Sequence, residues 1–465
     1  MSGHRLDPSI LREYDIRGQI GLTLSEADAR AIGRGFGTVA RRRGASTIAV
    51  GRDGRLSSPG LVAALTEGLT SAGVDVLDVG RGPSPMLYYA TYERPVDGGI
   101  MVTGSHNPSD YNGFKMVLGK AAFFGEQIAA LGALIAEGDF ESGAGSVRQD
   151  SVEDDYVARL LEGFKDGPGG GRPMKVAWDG GNGSAGDALV KLVERLPGEH
   201  ILLYEEVDGT FPNHHPDPTV AANLQDLIET VLSQGCDLGI AFDGDGDRIG
   251  AVDGKGRVLY GDQIMLLLAR EILAERPGAT IIADVKASQV LYDEIARMGG
   301  RPIMWMTGHS LIKSKMAEEG APFAGEMSAH LFFADRYYGY DDALYAAVRM
   351  LDGLGRSGES LADFRDSLPR VVNTPEVRFQ CSDARKWAVV EEVRDRLAAD
   401  GEAEVNDIDG VRVRTADGWW LLRASNTQDV LVVRCEASDE TGLARLKDAV
   451  RAQLSASGLE TPADF

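Results

Sequence analysis

Only three cysteines occur in 465 residues, Cys236, Cys381 and Cys435, far apart and without CxxC spacing. That spacing excludes a disulfide frame or a cysteine zinc site and reads as isolated thiols in a reducing compartment. No stretch approaches the ~20 apolar residues of a membrane span. The N-terminal MSGHRLDPSILREYDIRG holds no apolar run resembling a secretion signal. Positive charge is also scarce: 48 Lys and Arg stand against 71 Asp and Glu, for a formal net charge of -23. A nucleic-acid or anionic-membrane surface needs a concentrated basic patch, so neither partner is expected. An anionic substrate would have to be drawn in by a local Arg and Lys cluster against the global field. The expectation is a cytoplasmic protein, taken as a monomer.

What is present is length and repetition. A chain of 465 residues is too long for one hydrophobic core and suggests three or four domains. Three segments share a grammar of apolar strand, small polar or Gly-rich loop, amphipathic helix and second strand. They start at Thr47 (TIAVGRDGRLSSPGLVAALTEGLTSAGVDVLDVG), Lys175 (KVAWDGGNGSAGDALVKLVERLPGEHILLYEE) and Thr280 (TIIADVKASQVLYDEIARMGGRPIMWMTG). Continuous apolar strands followed by helical spacing are βαβ units of buried parallel sheets. After each unit comes another short strand and a small-residue loop: TGSHNP (103–108), DGDGDR (243–248) and GEMSAH (325–330). Ligands collect beyond the carboxyl ends of strands in open α/β sheets, so three such loops predict one composite site between domains. From about Leu368 the pattern becomes α+β, with an Ala-Asp-Gly turn at 416–418 that favours antiparallel pairing. KDGPGGGRP at 165–173 reads as a flexible surface loop or linker.

Each loop carries its own chemistry. Asp243, Asp245 and Asp247 alternate with glycines that let the chain curl, so that carboxylates at i, i+2 and i+4 converge. Converging carboxylates repel unless a cation sits among them, and hard oxygen ligands select Mg2+ or Ca2+. An EF-hand fails because its sixth and twelfth positions hold Arg248 and Gly254, not Gly and Glu. Ser105 in TGSHNP is a weak nucleophile unless a base, a metal or prior modification activates it. No GxSxG elbow surrounds it, and alone SHNP reads more readily as an ordinary turn. In RASNTQ (423–428), Arg423 can hold a phosphate bidentately while Ser425, Asn426 and Thr427 add donors, although a polar turn has the same composition. Glu326, Ser328 and His330 alternate, so an extended segment would turn all three one way, as a sugar-reading set or a structural network. Gly181, Gly183 and Gly186 satisfy GxGxxG, with Glu205 or Glu206 about 20 residues on. A nicotinamide-dependent oxidoreductase is therefore an alternative, although GRDGRL and DVKASQ lack the fingerprint at the same turn.

Taken in order, TGSHNP, DGDGDR, GEMSAH and RASNT resemble the α-D-phosphohexomutase superfamily, specifically its bacterial phosphomannomutase/phosphoglucomutase branch. The resemblance runs from EYDIRG at 13–18 to the last helix. It implies an α/β fold of three related domains with mixed sheets, plus a C-terminal α+β domain, around a central cleft. The expected divisions are 1–150, 151–253, 254–367 and 368–465. It further implies that Ser105 is a phosphoserine and that Mg2+ is held by Asp243, Asp245, Asp247 and a phosphoryl oxygen on Ser105. Hexose monophosphates would be interconverted through a 1,6-bisphosphate. Tyr14, Arg17, His106, Asn107, Lys115 and Arg248 would line the transfer site, with Lys115 or His330 handling protons. Lys286 and His309 match further cleft residues, while Glu326, Ser328 and His330 would grip the sugar. Arg423, Ser425, Asn426 and Thr427 would hold the phosphate that is not reacting. Two departures stand out: Ala329 replaces a usual Gly and should crowd the backbone, and DVKASQ lacks an arginine that often follows its lysine. Phosphoglucosamine mutases usually carry Gln where Met327 stands, which favours mannose and glucose phosphates.

Overall fold

The computed structural model describes residues 3–400, 404–426, 428–461 and 465. The threefold repeat is present strand by strand. Thr47–Arg52 lies parallel to Asp75–Arg81 on one side and to Gly98–Val102 on the other, and Gly98–Val102 pairs antiparallel with Tyr111–Leu118. Met174–Asp179 stands in the same way between Gly198–Leu203 and Leu238–Phe242, with Ile249–Asp253 antiparallel beyond. Thr280–Asp284, Arg301–Trp305, Phe323–Gly325 and Leu331–Phe333 repeat the arrangement a third time. The sheets are therefore mixed. Gly98–Val102, Leu238–Phe242 and Thr280–Asp284 are buried along their whole length, which is why they read as unbroken apolar runs.

The crossover helices Ser58–Ser71, Gly186–Val193 and Gln289–Arg297 follow the first strand of each repeat. Because the third strand of each repeat runs parallel to the first, all three functional loops leave carboxyl ends of central strands. The rule that ligands gather there thus becomes one shared cleft.

The C-terminal sheet is antiparallel, with Gly418–Ala424 paired between Val411–Arg414 and Val430–Ala437. Helices Asp383–Asp400 and Glu440–Ala456 pack on it. The cores divide unevenly. One apolar cluster runs from Ala49 in the first sheet through Trp178 and Phe242 to Phe364, joining all three α/β units. The C-terminal cluster runs from Cys381 to Phe465 and stays within its own domain, apart from a small patch in which Trp419 and Leu421 meet Val285. Segment 165–173 forms no helix or strand, as expected of a loop, yet it is anchored: the Arg172 N–H donates to the Gly355 carbonyl at 2.9 Å.

Candidate active site

Ser105 sits in the left-handed region (φ 51°) and is almost fully buried. Its hydroxyl lies 3.1 Å from His106 Nδ1 and 3.2 Å from Asp243 Oδ2, so the first and second loops meet at this atom. Gly244 makes that approach possible, because a Cβ there would fall 2.4 Å from the Ser105 carbonyl oxygen. Burial, with the Arg248 and Arg17 charges added, holds His106 well below the usual histidine range, so its ring is neutral beside the serine. Arg17 Nη1 donates to Asn107 Oδ1 at 2.6 Å and to the Gly104 carbonyl at 3.3 Å, fixing the loop from the strand beside it.

The three aspartates converge as their spacing demands, with one oxygen of each within 4.8 Å of the others. Gly246 at φ 71° supplies the curl. Lys115, almost fully buried, donates to Asp245 Oδ2 at 2.6 Å and to Asp247 Oδ2 at 2.5 Å, and Ser84 Oγ donates to Asp245 Oδ2 at 2.5 Å. Burial and the neighbouring Asp247 and Asp245 charges push Asp243 well above the carboxylate range. Burial acts on Asp245 in the same sense but is outweighed by Lys115, which keeps it ionised. Against its own burial, Lys115 is held high by the two carboxylates. Asp245 Oδ1 and Asp247 Oδ1 are buried without a hydrogen-bond partner. Buried carboxylate oxygens normally find partners, so a hard dication fits this donor set.

On the third repeat, Glu326 accepts from the Gly308 N–H at 2.7 Å, and His330 Nε2 accepts from Arg248 Nε at 2.8 Å. His330 Nδ1 stands 3.0 Å from Asp341 Oδ2, and His309 lies against His330 with ring centroids 5.6 Å apart. The loop is not extended. Ala329 N–H donates back to the Glu326 carbonyl and Ala329 adopts φ 67°, so a tight turn, rather than strand alternation, aims these side chains. Ser328 is half-buried on that turn. The left-handed φ is the physical meaning of the Gly-to-Ala departure, since a Cβ is disfavoured there.

The C-terminal loop closes the cleft through Tyr14, whose hydroxyl accepts from Asn426 Nδ2 at 2.5 Å and donates to the Thr307 carbonyl at 2.8 Å. One side chain thus ties the first, third and C-terminal domains. Arg423 is buried against Asp409 at 3.1 Å, and Ser425 Oγ accepts from the Gln428 N–H at 3.2 Å. Thr427 lies outside the described residues. Lys286 is held 3.1 Å from Glu376 and 3.8 Å from Asp284. Beside DVKASQ, Arg434 donates to the Lys286 carbonyl and reaches Met327.

The sequence reading missed Asp53 and Arg55. Arg55 is buried and donates to the carbonyls of Ser105 (2.7 Å), Asn107 (2.6 Å), Tyr111 (3.0 Å) and Pro108, while Asp53 accepts from the Gly104 N–H at 3.0 Å. A signal was available. An aspartate ends or directly follows the first strand of every repeat, as Asp53, Asp179 and Asp284, and Asp284 likewise accepts from the Met327 N–H at 2.9 Å. Burial, partly offset by Lys286, pushes the Asp284 carboxyl up to about 6. The GxGxxG turn serves packing. The Ser184 N–H donates to the Gly244 carbonyl at 2.9 Å, and a Cβ on Gly186 would fall 1.9 Å from the Glu205 carbonyl oxygen. The acidic loop packs directly on this turn, where a Cβ on Gly183 would fall 3.0 Å from the Asp243 carbonyl oxygen.

A four-domain α/β scaffold with a buried serine against an acidic triad is the architecture of a phosphoryl-transfer enzyme. The phosphoglucomutase/phosphomannomutase domain I description matches residues 8–142, domain II 154–256, domain III 260–372 and the C-terminal domain 376–453. The chain belongs to the phosphoglucomutase/phosphomannomutase family. It is 46% identical over 460 residues to a phosphomannomutase/phosphoglucomutase of Pseudomonas aeruginosa, covering 99% of this chain and 98% of that protein. A phosphoglucomutase of Neisseria meningitidis is 41% identical over 451 residues, covering 96% and 97%. The crystal structure of a family member from Burkholderia thailandensis, 46% identical, superposes with a TM-score of 0.93 over 99% of this chain and all of that one.

Proposed function

We propose that this chain interconverts hexose 1-phosphates and hexose 6-phosphates, mannose and glucose phosphates among them, through a phosphorylated Ser105 and a hexose 1,6-bisphosphate intermediate. The observation that carries this reading is the Ser105 hydroxyl 3.2 Å from an aspartate of a triad with two unpartnered buried oxygens. The 46% identical relative bears the name phosphomannomutase/phosphoglucomutase. One loop of the site falls to each of the domains 1–150, 151–253, 254–367 and 368–465. The protein acts as a cytoplasmic monomer, in keeping with three unpaired thiols.

In the forward half-reaction the bond between Ser105 Oγ and phosphorus breaks, and a bond from phosphorus to the free sugar hydroxyl forms. The sugar hydroxyl gives up its proton as the departing Ser105 Oγ takes one up. Lys115 is committed to two carboxylates and held protonated, so the acceptor is His330, which must first release the Arg248 N–H that its Nε2 holds. Neutral His106 and the cationic Arg17 and Arg248 surround the serine and offset the dianionic phosphoserine. Asp243, Asp245, Asp247 and a phosphoryl oxygen on Ser105 would hold Mg2+, which would supply charge neutralisation for the transferring group. Glu326, Ser328, His309 and His330 face the sugar hydroxyls. Arg423, Ser425, Asn426 and Thr427, with Lys286, hold the far phosphate. That grip lets either end of the bisphosphate meet Ser105, and the return step moves the other phosphoryl group to the serine.

The test is to incubate purified protein with mannose 1-phosphate, or glucose 1-phosphate, with Mg2+ and a trace of hexose 1,6-bisphosphate. The 6-phosphate should accumulate. A phosphorylated preparation that forms none would overturn the reading.

A further inference from the structure

Behind the cleft, between the first and third domains, lies a cavity of about 370 Å³ that contains none of the site residues described above. Tyr88, Tyr92, Tyr338 and Tyr340 line it together with Lys120, Lys313 and Arg276, and no Asp or Glu side chain contributes to its wall. In a chain of net charge -23 an all-cationic lining is not the average surface. The rings form an apolar shelf. Tyr92 and Tyr338 lie 4.8 Å apart and Tyr338 stacks on Tyr340 at 5.7 Å, while Lys120 Nζ stands 4.7 Å over Tyr92 and Lys313 Nζ 4.9 Å over Tyr88.

Two groups in this wall are left unused. The Tyr88 side chain is only 4% exposed, and its hydroxyl, which makes no hydrogen bond among the described residues, keeps some solvent access and is free to meet a ligand. Lys120, exposed at the rim, has no carboxylate partner among the described residues. Arg276 is bound only loosely, 3.4 Å from Asp335. The volume matches that of small-molecule sites, and aromatic walls with a few convergent polar groups are their usual lining.

We propose that this cavity is a second ligand site for a planar aromatic anion, with the ring on the tyrosine shelf and its phosphate or carboxylate between Lys120 and Lys313. The third domain connects the cavity to the cleft. Lys313 Nζ donates to Asp341 Oδ1 at 3.1 Å, Asp341 Oδ2 stands 3.0 Å from His330 Nδ1, and His330 accepts from Arg248. An anion that draws on Lys313 loosens its hold on Asp341 and so shifts the pair that faces the sugar and the metal loop. Occupancy therefore changes the KM for hexose phosphate, a coupling between two distinct sites.

The probes are phenyl phosphate and guanosine 5′-monophosphate, with inorganic phosphate as the ring-free control, titrated into the full chain by calorimetry and saturation-transfer NMR. Both ring-bearing anions should bind at least tenfold more tightly than inorganic phosphate, and excess hexose phosphate should not displace them. Lys120→Glu and, separately, Tyr92→Leu should each weaken binding at least tenfold while basal kcat/KM without probe stays within twofold. The probe should shift the KM of the native chain and not that of Lys120→Glu. No binding at millimolar concentration, displacement by hexose phosphate, or equal binding by both variants would overturn the site. Binding without any change in KM would overturn the connection through Lys313 and Asp341. Because binding is read directly, these outcomes stand apart from failure of the mutase assay.

Discussion

Ser105 and Asp243 belong to domains bridged by one apolar core, beside a second core within the first domain, whereas Arg423 and Asn426 hang on a domain whose core meets the third only through a small patch. The first pair is fixed by Arg55, by Gly244 against the serine carbonyl and by Lys115 across the aspartates. The second pair is positioned by polar contacts between domains. Arg412, stacked 3.7 Å over Trp419, donates to the carbonyls of Val285 and Ala287, Glu436 accepts from Ser288 and Gln289, and Tyr14 holds Asn426. The difference follows the tasks proposed for them. In-line transfer tolerates little displacement, whereas a grip on the far phosphate must release and take up an intermediate that turns end for end. Polar interdomain contacts with little shared apolar area are the kind that permit relative motion.

The comparison can be broken most severely at the serine. Ser105→Ala should lower kcat by roughly 10³-fold or more while hexose phosphate still binds, because the nucleophile is lost and the grip is not. Calorimetry beside the turnover assay checks both halves, and unchanged turnover would remove the serine from the reaction. Asp245→Asn should weaken Mg2+ affinity by at least about 10–100-fold, the range for lost supporting contacts at metal sites. Chelation of the native protein should abolish turnover and added Mg2+ restore it; indifference to chelation would refute the metal loop.

Arg55→Met tests the rigid half without touching a reacting atom. It takes the counter-ion from buried Asp53, which keeps its Gly104 and Ser58 donors, and removes a donor from at least three loop carbonyls, a loss of about 3–5 kcal/mol by the cost of breaking a buried ion pair. A fall in the urea midpoint should show it. Arg412→Ala tests the hinged half. Unpairing the Val285 and Ala287 carbonyls costs about 1–3 kcal/mol, and the expected readout is a KM increase of about tenfold with kcat much less changed. A kcat collapse would mean that the two halves are not separable. The smallest effect belongs to Ala329→Gly, which relieves a left-handed Cβ and should stabilise by up to about 1 kcal/mol in a thermal melt.

Much of this was legible from residues alone. Unbroken apolar runs specified buried parallel strands, and their threefold recurrence placed TGSHNP, DGDGDR and GEMSAH at equivalent strand ends. The alternation of Asp with Gly specified convergence at the metal loop. GEMSAH was misjudged as extended, because period-two spacing cannot reveal that Ala329 turns left-handed. GxGxxG was ambiguous, because glycine spacing does not say whether a cofactor or a neighbouring loop fills the space.

Local sequence determined the strands, the helices and the acidic curl, since propensity, periodicity and glycine act over a few residues. Only the tertiary structure decided that Arg55 buttresses the serine, that Lys115 spans two aspartates, that Arg434 reaches the Lys286 carbonyl, and that Tyr14 joins three domains. Those contacts link residues from 50 to 412 positions apart. At such separations it is the packing of domains, and no local pattern, that brings charges together.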